Sequence, residues 1–148
     1  TKVVNFVQKR KTESVNHGTN SRIGYDTHLM NPQNIFIGNG SYVNGGFLYA
    51  GKKSKIVIGN NCLISYNVHI RCMSHNYRDK NVLIKDQGEW EDDIIIEDDC
   101  WIGFGAQIMP GCKIAKGSVI GAGAVLTHNT NEYEVWGGVP ARKIGERF

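Results

Sequence analysis

Between residues 96 and 130 the large aliphatic residues recur at every sixth position without drift: Ile96, Ile102, Ile108, Ile114, Ile120 and Leu126. Neither the 3.6-residue period of a helix nor the two-residue alternation of an ordinary strand fits this spacing. Three residues after each aliphatic stands Asp99, Gly105, Gly111, Gly117, Gly123 or Asn129. These are the residue types that most readily enter left-handed backbone conformations. One position further on, Cys100, Ala106, Cys112, Ser118, Ala124 and Thr130 are all small. A turn, a small corner residue and one inward aliphatic in every six predict a parallel β-helix. Three faces close a coil of eighteen residues, and coils stack at about 4.8 Å. Each inward aliphatic then contributes roughly 1.5–3 kcal/mol of burial.

The same pattern runs upstream. Gly40 and Gly46 follow Ile37 and Val43, and Asn61 and Asn67 follow Ile58 and Ile64. The step from Val43 to Ile58 is longer than two hexads, which predicts a bulge around "AGKKSK". Between Ile70 and Ile96 the polar stretch "NYRDKNVLIKDQGEWEDD" predicts a loop hanging from an otherwise regular coil. The pattern divides a single domain, 1–148, into an N-terminal lead-in (1–34), first coils (35–75), a loop insertion (76–93), C-terminal coils (94–130) and a tail (131–148). The lead-in shows no helical periodicity. A β-sandwich would need two-residue alternation and hairpin signals, and both are missing.

Composition narrows the function classes. A chain of 148 residues is long enough for one domain with a real core. The net charge of +3 is mild, and the only basic run is "QKRK" at Gln8 to Lys11, without the interleaved aromatics of a nucleic-acid binder. No stretch reaches the roughly 18 apolar residues of a membrane span, and no signal-peptide core appears; a soluble, cytoplasmic protein is expected. Cys62, Cys72, Cys100 and Cys112 lack zinc-ligand spacing and read as reduced, packed thiols.

The hexads, followed by "VWGGVPARKI" at Val135 to Ile144, resemble the hexapeptide-repeat acyltransferases, and within them the maltose, galactoside and exopolysaccharide O-acetyltransferases. The resemblance implies an all-β fold, a left-handed parallel β-helix that departs from the right-handed crossover rule. It also implies acetyl-CoA as co-substrate with no metal, a sugar acceptor in capsule, lipopolysaccharide or exopolysaccharide synthesis, and a homotrimer whose donor cleft lies between subunits. Absence of a helical lead-in points to the shorter capsule or lipopolysaccharide type. Fold alone does not assign function; individual residues carry it.

His75, in "CMSHNY", stands where the resembling enzymes place their catalytic histidine, ahead of the loop and of the coil "IIIEDDCWIG". A sugar hydroxyl is a poor nucleophile, and an imidazole, with a reference pKa near 6.5, suits the removal of its proton during attack on a thioester. The carboxylate that orients it is one of Asp79, Asp86, Glu89 and Glu91. Carry-over of the donor site names Trp101, Gly103, Phe104, Gly121, Ala122, Thr127, His128, Arg142 and Lys143. His128 stands where lysine is usual, and Gly145 replaces a second basic residue. Asn44, Glu89 and Trp90 are the acceptor-side candidates. Two other readings remain open: N-acetylation of a nucleotide amino sugar, and a zinc hydratase like the γ-type carbonic anhydrases, using His69 with His28 or His128. A nucleophilic pair of Cys72 with His75 is weaker still.

Overall fold

The computed structural model describes residues 1–148 as a solenoid of about five coils preceded by one helix. Its inward positions are those that the hexads mark. Ile96, Ile102, Ile108, Ile114, Ile120 and Leu126 are all fully buried and belong to one continuous core running the length of the coil. The turn positions behave as their residue types require: Asp99, Asn61 and Asn67 take φ near +57°, and Gly105, Gly111, Gly117 and Gly123 are also left-handed. Asn129 is not among them, because there the chain leaves the hexad pattern for the tail.

Three flat faces result. The first stacks Asn16–His17, Ile35–Ile37, Ile56–Ile58, Ile94–Ile96 and Lys113–Ile114. The second stacks Arg22–Ile23, Tyr42–Val43, Leu63–Ile64, Trp101–Ile102, Val119–Ile120 and Glu134–Gly137, closed by the antiparallel strand Arg142–Glu146. The third stacks Thr27–Met30, Gly46–Tyr49, Val68–Arg71, Gln107–Ile108 and Val125–Leu126. In the last coils the parallel register is one full turn of eighteen residues: Ile96 pairs with Ile114, Ile102 with Ile120 and Ile108 with Leu126. Across the insertion Ile58 pairs with Ile96, so the loop is looped out and the phase is kept.

The lead-in requires correction. A helix, α1, spans Lys2–Glu13, and the first coil begins at Asn16 rather than after residue 34. The helix covers the open end of the solenoid, where unpaired strand edges would otherwise face solvent. Thr12, its one buried residue, accepts a hydrogen bond from the backbone N–H of Ile23 at 3.0 Å through its hydroxyl. Because α1 buries so little apolar surface, it carries no amphipathic stripe to read. The first coil also breaks the hexad rule, with exposed His17 at the register position of Ile37.

The four cysteines are free and buried at coil corners. The Cys62 and Cys100 thiols donate to the carbonyls of Glu97 (3.1 Å) and Ala115 (3.3 Å). Burial pushes the Cys72 and Cys112 thiols up to about 11, and the neighbouring Cys62 thiol, with burial, raises Cys100 further. These are inert packing groups.

Candidate active site

The insertion does not hang free. Met73–His75 leaves the third face and pairs antiparallel with Glu89–Glu91, setting His75 opposite Glu89 and Ser74 opposite Trp90. Gly88, left-handed at φ +75°, turns the chain into the returning strand. His75 Nδ1 consequently lies 3.5 Å from Glu89 Oε1, with both side chains more than half exposed. That is a loose contact, of the kind that tightens when substrate closes a site.

The four carboxylates left open by the sequence now separate. Glu91 Oε2 accepts from the Ser54 hydroxyl (2.7 Å) and from the backbone N–H groups of Lys53 and Ser54 (3.0 Å each). These bonds, led by the Ser54 hydroxyl, hold the Glu91 carboxyl below the usual range. It pins the 50–55 bulge. Asp79 accepts from Asn81 N–H within its own loop, and Asp86 pairs with Lys85. Glu89 alone faces the imidazole. Of the two roles expected of it, acceptor contact and orientation of His75, the 3.5 Å contact bears on the second.

Trp90, 42% exposed, divides two clefts. One, of about 560 Å3, is lined by His75, Asn76, Tyr77, Asp79 and Gln87 together with Trp90. The other, of about 370 Å3, lies on the third-face side of the hairpin and includes Tyr49, Lys52, Arg71 and Glu89. Sequence reasoning missed Tyr49, Lys52 and Arg71. The signal for two of them was available: Tyr49 and Arg71 are outward positions of adjacent third-face strands, paired in register.

The donor-side candidates fall into two groups. Asn44, Gly103 and Gly121 occupy one corner column, linked through bonds from Asn44 N–H to Ile64 O, Gly103 N–H to Ile120 O and Gly121 N–H to Trp136 O. Phe104 and Ala122 are the next residues along this column, and Trp101 precedes it, donating through Nε1 to the Ser65 hydroxyl at 3.2 Å. Close stacking explains the glycine at 103, since a Cβ there would sit 2.7 Å from the Ala122 nitrogen. Thr127 and His128, whose hydroxyl and Nδ1 are 2.9 Å apart, lie past the opposite edge of the third face, the edge from which His75 also departs. A four-residue strand, about 13 Å at 3.3 Å per residue, separates the two edges. Within one chain, Asn44 and the glycine column do not meet His75.

Of the tail cations, Lys143 is engaged by Glu134 (3.3 Å) and Glu146, and Arg147 by Asp99 (3.0 Å). Arg142 bonds only the carbonyl of Ala141 and keeps its charge unanswered by a carboxylate. His69 lies against aromatic rings, with Phe47 at 5.1 Å and Tyr49 at 5.7 Å between centroids. Burial, and then the charge of Arg71, push its pKa down. No three of the chain's histidines, cysteines or carboxylates converge on a common point that could hold a metal ion. The Cys72 thiol points inward and donates to Lys55 O, away from His75.

Comparison with known proteins decides the family. The model described as "Bacterial transferase hexapeptide (six repeats)" matches residues 93–128. A maltose O-acetyltransferase from Clostridium difficile is 30% identical, with a TM-score of 0.69 over 90% of this chain and 67% of that one. The chain belongs to the hexapeptide-repeat transferase family. A hexapeptide-repeat acetyltransferase from Vibrio cholerae, solved in complex with acetyl-CoA, superposes with a TM-score of 0.81 at 26% identity, covering 92% of this chain and 73% of that one. The galactoside O-acetyltransferase of Lactococcus lactis is 31% identical over 136 residues, 85% of this chain and 64% of that protein. This hexapeptide-repeat chain spans from 26% to 64% of the length of the curated relatives it matches. No helix in it is long and apolar enough to cross a membrane.

Proposed function

We propose that this hexapeptide-repeat protein is an acetyl-CoA-dependent O-acetyltransferase acting on a carbohydrate hydroxyl, with His75 as general base. The observation that carries this reading is the His75–Glu89 pair, held by a two-stranded hairpin at the rim of two clefts. With Nδ1 turned toward Glu89, Nε2 is left to face an acceptor. The hydroxyl oxygen attacks the thioester carbonyl as Nε2 takes its proton. The tetrahedral intermediate then collapses, the C–S bond breaks, and the imidazolium returns the proton to the departing thiolate. Glu89 positions the ring and balances the charge it acquires. Trp90 offers an apolar wall for a sugar ring.

The bound acetyl-CoA of the Vibrio cholerae relative supports the choice of donor, and the galactoside and maltose enzymes support a sugar acceptor. With helix α1 present, the ground for preferring a capsule or lipopolysaccharide acceptor falls away. A homotrimer accounts for the separation of the two edges. A second copy would bring its glycine column, Asn44 to Ala122, against the His75 edge of the first, and the thioester arm would lie between them. Arg142, free of carboxylates, suits the coenzyme phosphates.

The reading is tested by thiol release from acetyl-CoA over a panel of sugars and amino sugars, with His75→Ala run beside the wild type. Release with a hydroxyl acceptor, slowed at least about 100-fold in the variant, is expected. Release confined to amino sugars moves the assignment to N-acetylation. Equal rates in the two proteins remove His75 from the chemistry.

A further inference from the structure

We propose that the third-face cleft beside the hairpin selects an acceptor that carries an anionic group, a carboxylate or a phosphate, and that Arg71 is the residue that reads it. The inference rests on the acetyltransferase reading above and narrows its acceptor. Arg71 projects from the end of the strand Val68–Arg71 into the cleft of about 370 Å3, between Tyr49 on the preceding coil and Trp90 on the hairpin. It is half-buried, its Nε is out of contact with solvent, and that Nε has no hydrogen-bond partner. It makes no ion pair with any carboxylate of the chain.

A buried donor without an acceptor is costly, by about 1–3 kcal/mol, so such groups in folded proteins are normally satisfied. The acids that line the cleft do not answer this one. Glu91 Oε2 is taken by Ser54 and the 53–54 backbone, Glu89 faces His75, and neither forms an ion pair with Arg71. Lys52, at the mouth of the same cleft, is likewise without a carboxylate partner. The cleft therefore presents two unanswered cations, one of them a planar guanidinium suited to bidentate capture of a carboxylate or phosphate. Trp90 forms one wall and the volume is that of a small-molecule site. A uronic acid or a sugar phosphate meets all three features: a ring face for Trp90, a hydroxyl within reach of the hairpin that carries His75, and an anion for Arg71.

Binding distinguishes this from the transfer reaction. Methyl glucuronoside, glucose 1-phosphate and neutral methyl glucoside are titrated calorimetrically into the full chain, with coenzyme A in excess so that its own phosphate contacts are filled. At least one anionic probe should bind about tenfold or more tightly than the neutral glycoside. Which of the two does so identifies the anion. Arg71→Gln should collapse that ratio, Arg71→Lys should recover part of it, and Lys52→Gln, in an exposed turn, should reduce it by a smaller factor. Equal binding of charged and neutral probes, or a ratio that survives Arg71→Gln, overturns the inference. Thiol release measured on the same samples reports separately on the acetyltransferase reading. Transfer to neutral sugars alone sinks the anion and keeps the enzyme, whereas an anion preference without thiol release does the reverse.

Discussion

The coils at 94–130 and the hairpin at 73–91 are built on opposite terms. In the coils every inward aliphatic is buried, every corner is occupied by a residue suited to it, and every strand but the two terminal ones, Lys113–Ile114 and Val125–Leu126, is held between two others. The hairpin has one pair of strands, three residues each, and exposes Tyr77, Leu83 and Ile84 at its far end. Yet the hairpin holds the only paired histidine and carboxylate. Stability here is repetitive and distributed, whereas the candidate chemistry sits on a single segment that the repeat does not need.

Substitutions should separate the two regions. The largest effect is expected in the coils: Ile114→Ala removes a fully buried side chain stacked on Ile96 and should cost about 3 kcal/mol, read as a lowered urea midpoint. His75→Ala comes next, at about 100-fold in kcat/KM, with the urea midpoint unchanged because the side chain is exposed. A large loss of stability there would show that the hairpin is part of the cooperative core.

The end cap of the coils should respond to acid. Glu134 accepts from the Asn131 N–H (2.8 Å) and the Trp136 indole (2.8 Å) and is approached by Lys143. These contacts, the Asn131 backbone first, bring its pKa down to about 2 from 4.5. Because the folded value is the lower one, the stabilisation is present in full above about pH 4.5 and fades as pH falls toward 2. Glu134→Gln should lower stability by about 2 kcal/mol near neutrality and flatten its dependence over that acid window, in urea titrations at several pH values.

Glu89→Gln keeps the shape and removes the charge that balances a protonated His75; a loss of about tenfold in kcat/KM, with KM for acetyl-CoA unchanged, is expected. The smallest effect is the most discriminating. Gly105 and Gly88 both have left-handed φ and open space where a Cβ would stand. Alanine at either should cost about 1 kcal/mol locally. Gly105→Ala should appear in the urea midpoint. Gly88→Ala should appear in kcat/KM instead, because it sits at the turn that sets Glu89 against His75.

Much of this was legible beforehand. The hexads alone dictate three faces, eighteen residues per coil and a loop after Ile70, since a period of six in buried aliphatics has few other structural solutions. His75 was a candidate only through the resemblance to the hexapeptide-repeat enzymes, and its role is what the His75→Ala comparison tests. The helix α1 could not, because it covers a coil end with polar contacts and leaves no apolar stripe. The partner of His75 was equally hidden among four acids in one polar loop.

The sequence by itself thus determined the solenoid and its phase, because burial repeats locally and each hexad states its own inside and outside. Only the tertiary structure decided that Glu89 faces His75, that Glu91 is consumed in pinning a bulge, and that Arg71 is left without a partner. Those facts depend on which distant residues come within a few ångströms of one another, and in a looped-out segment no local periodicity encodes that.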